Sequence, residues 1–125
     1  MTSEEIDALW DFNDPAKSYK AFETALAESP ASADEIHTQI ARSLGLQQKF
    51  SDARSELAKI STKPSNVVAV RVALENGRIE NSSCNKPAAQ PYFLNAYEQA
   101  VKHKLDFYAV DADRKSTRLN SSHRH

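Results

Sequence analysis

The stretch Pro87-Ala-Ala-Gln-Pro-Tyr-Phe-Leu-Asn-Ala-Tyr-Glu-Gln-Ala100 decides the fold, because Ala89, Phe93 and Ala96 recur at spacings of four and three. On a helix of 3.6 residues per turn those positions share one face, so a large ring there is flanked by two small residues. Ala53, Leu57 and Ile60 share one face in the same way within residues 51–60, and the small-large-small order stands again at Ser18, Phe22 and Ala25 within residues 15–27. The triplets begin 35 and 36 residues apart. A face of this kind repeated at that period is the signature of stacked helix hairpins, in which the small residues let two helices approach and the large one fills the space between them.

Working outward, a further helix is expected ahead of each later triplet, over residues 34–46 and 67–82. The first has Ile36, Ile40 and Leu44 at spacing four, with Ser32 as its expected N-cap and Glu35 three residues on, the order of a reciprocal capping box. The second reads two ways. Val67-Val-Ala-Val-Arg-Val72 is rich in β-branched residues and Asn76-Gly77 is a strong turn signal, so the local reading is a β-hairpin. The repeat context favours a helix, because residues 87–100 copy the earlier helix and Gly77 stands where a closely packed helix takes its smallest residue.

The composition agrees with an all-α chain. It has 125 residues, 40% of them hydrophobic, with two glycines and five prolines, which suits one domain or a short row of hairpins. No apolar run is long enough to span a bilayer, and Met1-Thr-Ser-Glu-Glu is acidic where a secretory leader is basic and then apolar, so a cytoplasmic protein with no membrane partner is expected. The single Cys84 excludes an intramolecular disulfide.

The C-terminal stretch Asp113-Arg-Lys-Ser-Thr-Arg-Leu-Asn-Ser-Ser-His123 resembles the translation, in one frame throughout, of a common short-read sequencing adapter. Residues 113–125 are therefore read as a non-native tail and set aside from the fold. The whole chain carries a net charge of −1 and the tail, with four Arg and Lys against Asp113, carries +3, so residues 1–112 carry −4 by difference. A basic nucleic-acid arm or a metal site at His123 and His125 is set aside with the tail, and neither a nucleic-acid partner nor a bound metal is expected.

The repeated triplets and their preceding helices resemble the tetratricopeptide repeat, a helix-turn-helix of about 34 residues. In the first full repeat, residues 34–67, Ile40, Ala41 and Leu44 fill the large, small and large places of the opening helix, and Ala53, Leu57 and Ile60 those of the second. His37 stands where the family most often has Trp, and Pro64 falls one residue before the usual proline. In the second repeat, residues 70–103, Ala73 and Gly77 fill the opening helix, and Ala89, Phe93 and Ala96 the second; Asn76 and Glu80 depart from the apolar pattern. Residues 1–30 make a partial hairpin and residues 104–112, through Leu105-Asp-Phe-Tyr-Ala-Val110, open a further helix. The segments Leu9-Trp-Asp-Phe-Asn-Asp-Pro15 and Ile40-Ala-Arg-Ser-Leu-Gly-Leu-Gln47 are also similar to bacterial repeat proteins of undefined role.

That resemblance implies a TPR-like α-solenoid fragment that binds a peptide or protein segment in a concave groove lined by the first helices. The implied groove residues are Thr38, Arg42 and Leu46 in the first repeat and Arg71, Leu74, Arg78 and Asn81 in the second, with Glu35, Gly45 and Ser82 beside them. Arg42 and Arg78 occupy equivalent places, so a basic strip including Arg71 would suit an acidic partner; the competing reading pairs the arginines with Glu35 or Glu75. No enzyme is expected. The chain has no nucleophile-and-base pair, no metal-ligand spacing and no glycine-rich phosphate loop, so no catalytic residue and no cofactor are assigned. His37 is read as a core or interface residue, Cys84 as a turn residue, and Trp10 with Phe12 as an apolar lid or a partner's anchor. The alternatives are a self-associating structural module and the repeat region of a larger regulator or enzyme.

Overall fold

The computed structural model describes residues 1–123, with side chains described as far as Leu119; the His123 and His125 pair lies outside those side chains. Every regular element among the described residues is helical. The order is α1 (Ser3–Asp7), α2 (Pro15–Glu28), a 3-10 turn (Pro30–Ser32), α3 (Ala33–Leu46), α4 (Phe50–Leu57), α5 (Asn66–Ser82), α6 (Lys86–Lys102) and α7 (Asp106–His123). No described helix is long and apolar enough to cross a membrane. The valine-rich residues 67–72 are helical and not a β-hairpin, because the local β preference is weaker than the packing of a whole apolar face.

The chain divides into two compact units, Met1–Pro64 and Ser65–His125. In the first unit α3 packs against both α2 and α4. Ile36, Ile40, Ala41 and Leu44 are its buried face, set against Phe22 and Ala25 of α2 and Ala53 of α4. The buried Phe22 ring alone contributes about 2–3 kcal/mol of transfer free energy. Ser18 is buried too, and its hydroxyl accepts from the Asp11 N–H at 2.8 Å and donates to the Asp11 carbonyl at 2.9 Å, tying the segment ahead of α2 to that helix. Asp14 caps α2 through the Lys17 N–H.

Two expectations fail here. The capping box forms at Thr2 and Glu5 of α1 rather than at Ser32 and Glu35. The 3-10 turn leaves Ser32 at φ −102° and ψ 13°, away from the extended geometry of a capping serine, and its hydroxyl instead accepts from the Met1 amino group at 2.8 Å. Glu35 accepts from the Ser3 hydroxyl at 2.6 Å. The second triplet is also incomplete, since α4 ends at Leu57 and leaves Ile60 beyond the helix, with only Ala53 fully buried.

The second unit is a three-helix packing in which α6 lies against both α5 and α7. Its core joins Val70, Ala73 and Leu74 to Ala89, Phe93, Ala96 and Ala100, and continues onto Ala112 and Leu119. The tightest point is Gly77. A Cβ there would lie 2.5 Å from Cε1 and 2.7 Å from Cδ1 of Phe93, so the ring rests directly on bare backbone. Helix α7 runs without a break across residues 112 and 113, with Ser116 buried and its hydroxyl accepting from Gln90 Nε2 at 2.7 Å.

Three helices end in the same way. The N–H groups of Gln48 and Lys49 donate to the Gly45 and Leu44 carbonyls, those of Cys84 and Asn85 to Asn81 and Glu80, and those of Lys104 and Leu105 to Val101 and Ala100. These are Schellman turns, which require a left-handed residue. Gln48, Cys84 and Lys104 supply it at φ 61°, 67° and 57°, although none is glycine.

Gly77→Ala should destabilise the second unit by about 1–3 kcal/mol through overpacking against a ring that has no flexible end to yield. Adding Phe93→Leu should recover part of that loss; urea unfolding of the single and double variants checks it. Gln48→Gly should raise stability by about 0.5–1 kcal/mol by removing left-handed strain, read as a higher melting temperature.

Candidate interaction surface

In the first unit the segment between α1 and α2 presents two aromatic rings to α3. Trp10 and Phe12 stack with centroids 4.6 Å apart and planes 7° apart. Trp10 is held from below by Phe22, edge-on at 5.0 Å, and its indole N–H donates to Gln39 Oε1 at 2.8 Å. The guanidinium of Arg42 sits 4.9 Å from the Phe12 centroid and 5.4 Å from that of Trp10. Contacts of this kind contribute about 0.5–1 kcal/mol at exposed sites. Leu46 lies one turn further along α3 on the same side, 51% exposed, and Phe12 is 57% exposed. The result is a planar cation flanked by apolar surface, with Trp10 serving as both lid over Phe22 and floor under Arg42.

Thr38 does not join this surface. It is fully buried, and its hydroxyl donates to the Glu35 carbonyl at 2.5 Å and accepts from Gln39 Nε2 at 3.0 Å. His37 lies half-buried between α3 and α4, its Nδ1 2.9 Å from Glu56 Oε2. Lys59 takes the other oxygen of Glu56 at 2.8 Å, and that hydrogen bond, followed by the carboxylate charge, raises the Lys59 ammonium above its ordinary range. The histidine thus joins two helices, as an interface residue.

In the second unit α5 turns its two arginines toward α7. Arg71 is only 5% exposed, with its guanidinium 5.4 Å over the Tyr108 ring of α7. Arg78 is paired with the buried carboxylate of Glu75 and donates to Asp111 Oδ2 at 2.9 Å; Lys115 reaches the other Asp111 oxygen at 3.4 Å. Leu74 belongs to the core beside Phe93. Of the four groove residues expected here, Asn81 alone is exposed. The open basic strip is therefore corrected. Residues 106–112 pack as a helix on α6 and reach α5, so Tyr108 and Asp111 meet Arg71 and Arg78, and Arg78 also takes the pairing with Glu75 that was the competing expectation.

The partners that were missed, Tyr108 and Asp111, sit at i and i+3 at the opening of α7, and a search for acidic and aromatic positions at one helical turn could have found them. Nothing in the sequence signals that Phe12 would meet Arg42. Cys84 is exposed in its turn, and the described residues hold no group of three or more His, Cys, Asp or Glu side chains that could bind a metal. Comparison with protein-family profiles, curated proteins and solved structures returns no match for the chain.

Glu75 has one oxygen without a hydrogen-bond partner among the described residues, so its buried charge depends on Arg78. Arg78→Ala should accordingly cost about 2–4 kcal/mol of unfolding free energy, more than an exposed ion pair returns. In a double-mutant cycle Glu75→Ala should suppress most of that loss, measured by urea unfolding.

Proposed function

We propose that this chain is a protein-interaction scaffold of tetratricopeptide-like helix hairpins, with its recognition surface on the first unit at Phe12, Arg42 and Leu46. The observation that carries the reading is the Arg42 guanidinium held over the Trp10 and Phe12 rings beside an exposed leucine. Stacking holds the plane of the guanidinium against the rings, so its positive charge stands beside exposed apolar surface and suits an acidic segment. The fitting partner is a peptide or protein segment that combines a carboxylate with an apolar side chain about one helical turn away. The consecutive packing of α3 on α4 and α5 on α6, with Gly77 at a close approach in the second pair, supports the hairpin assignment. The proposed role is non-enzymatic and needs no cofactor. A cytoplasmic setting suits the exposed Cys84 thiol.

The same proposal treats residues 113–123 as adapter-derived sequence appended to the functional region. Long-read sequencing of the source gene through the codons for Val110 to His123 tests this part. A frame that departs from the adapter after Ala112 supports it, and a genomic match to the full stretch overturns it.

Trp10 is the only tryptophan, so its emission reports on this surface. Titrating the full chain with peptides that pair Glu or Asp with Leu or Phe should quench or shift that emission, and Arg42→Ala and Leu46→Ala should each weaken binding about tenfold. Peptides in which Gln and Asn replace the carboxylates should bind correspondingly less. Affinity that survives the double substitution would reject Arg42 and Leu46 as the surface.

A further inference from the structure

Helix α7 packs through Tyr108, Ala109, Ala112 and Leu119, with Leu105 just before it, and the opposite side of its first turns carries apolar residues as well. Phe107 is 72% exposed and Val110 57%. They lie one turn apart in a shallow depression of about 410 Å³ lined by Asp106, Phe107, Val110, Asp111 and Arg114. Phe107 and Val110 thus form a short apolar row with charged residues at either end.

The order of residues along that face specifies its occupant. Asp106 stands four residues before Val110 and Arg114 four residues after it, and both are exposed. Four residues are about 6 Å of helix rise, a little over one turn. If a second α7 lies antiparallel across the first with a two-fold axis at Val110, Asp106 of each copy falls level with Arg114 of the other. The two Phe107 rings then flank the paired valines. A face that complements itself under a two-fold rotation is the condition for a closed isologous dimer. We propose that the outward face of α7 is such an interface and that its partner is a second copy of this chain.

The interface excludes Phe12, Arg42 and Leu46 and is independent of the peptide-binding reading. It belongs to the chain with residues 113–123 present, since Arg114 lies within them. Asp111 is committed to Arg78 and Lys115 within its own unit and leaves Asp106 and Arg114 as the exchanging pair.

Sedimentation velocity of the full chain from about 1 to 300 µM tests the pairing. The mass should rise with concentration from 13.9 kDa toward twice that value. Phe107→Ser should keep the chain monomeric while circular dichroism shows unchanged helix. Asp106→Arg and Arg114→Asp should each weaken the dimer about tenfold, and the two combined should restore it, because the swap recreates both pairs. A chain that stays monomeric throughout overturns the proposal, as does a dimer indifferent to Phe107→Ser. Failure of the charge swap to restore association overturns the two-fold at Val110.

Discussion

The Phe93 ring rests on the bare backbone of Gly77, and the rest of the second unit follows from that contact. With no Cβ to hold them apart, α5 and α6 close until Ala89, Ala96 and Ala100 are fully buried, and a continuous apolar surface forms along α6. Helix α7 is then laid on this surface through Leu105, Tyr108, Ala109, Ala112 and Leu119. Close packing leaves such a unit little tolerance for added volume, because interiors of this density transmit strain instead of absorbing it. In the first unit Phe22 of α2, Ala41 of α3 and Ala53 of α4 are all fully buried, with α3 packed against both neighbours.

The turns between helices are built against conformational preference. Gln48, Cys84 and Lys104 hold left-handed backbone without the freedom of glycine, each a cost of about 1–2 kcal/mol. Two backbone hydrogen bonds per turn satisfy carbonyls that the helix end leaves open, and the reversal lets the next helix bury its apolar face. Packing is the larger effect, so it sets the backbone and the residue type accommodates it.

The arginines of α3 and α5 meet different surroundings. Arg78 meets Glu75 and Asp111 and becomes part of the joint between α5 and α7, while Arg71 is buried over Tyr108. Arg42 stands over Trp10 and Phe12, rings supplied by the loop before α2, with Phe12 itself open to solvent. The helical neighbours, and not the arginine's place on its own helix, determine whether the charge holds the fold together or lies at a surface.

The sequence by itself determined the helices from α2 to α6, within three residues at each boundary: apolar spacing is a local property that α2, α3, α4 and α6 each carry alone, whereas α5, whose own residues read as a β-hairpin, was legible only from the segments beside it. It also determined that Gly77 is a close-packing position and that Ala89, Phe93 and Ala96 share a buried face. Only the tertiary structure decided that Ser32 turns to the Met1 amino group instead of capping α3, and that Thr38, Leu74 and Arg71 are buried. It alone brought Phe12 to Arg42 and Asp111 to Arg78, across sequence separations of 30 and 33 residues. The physical reason is one of range: helix formation is governed by contacts three and four residues apart, whereas the burial and pairing of a side chain depend on which distant segment folds over it.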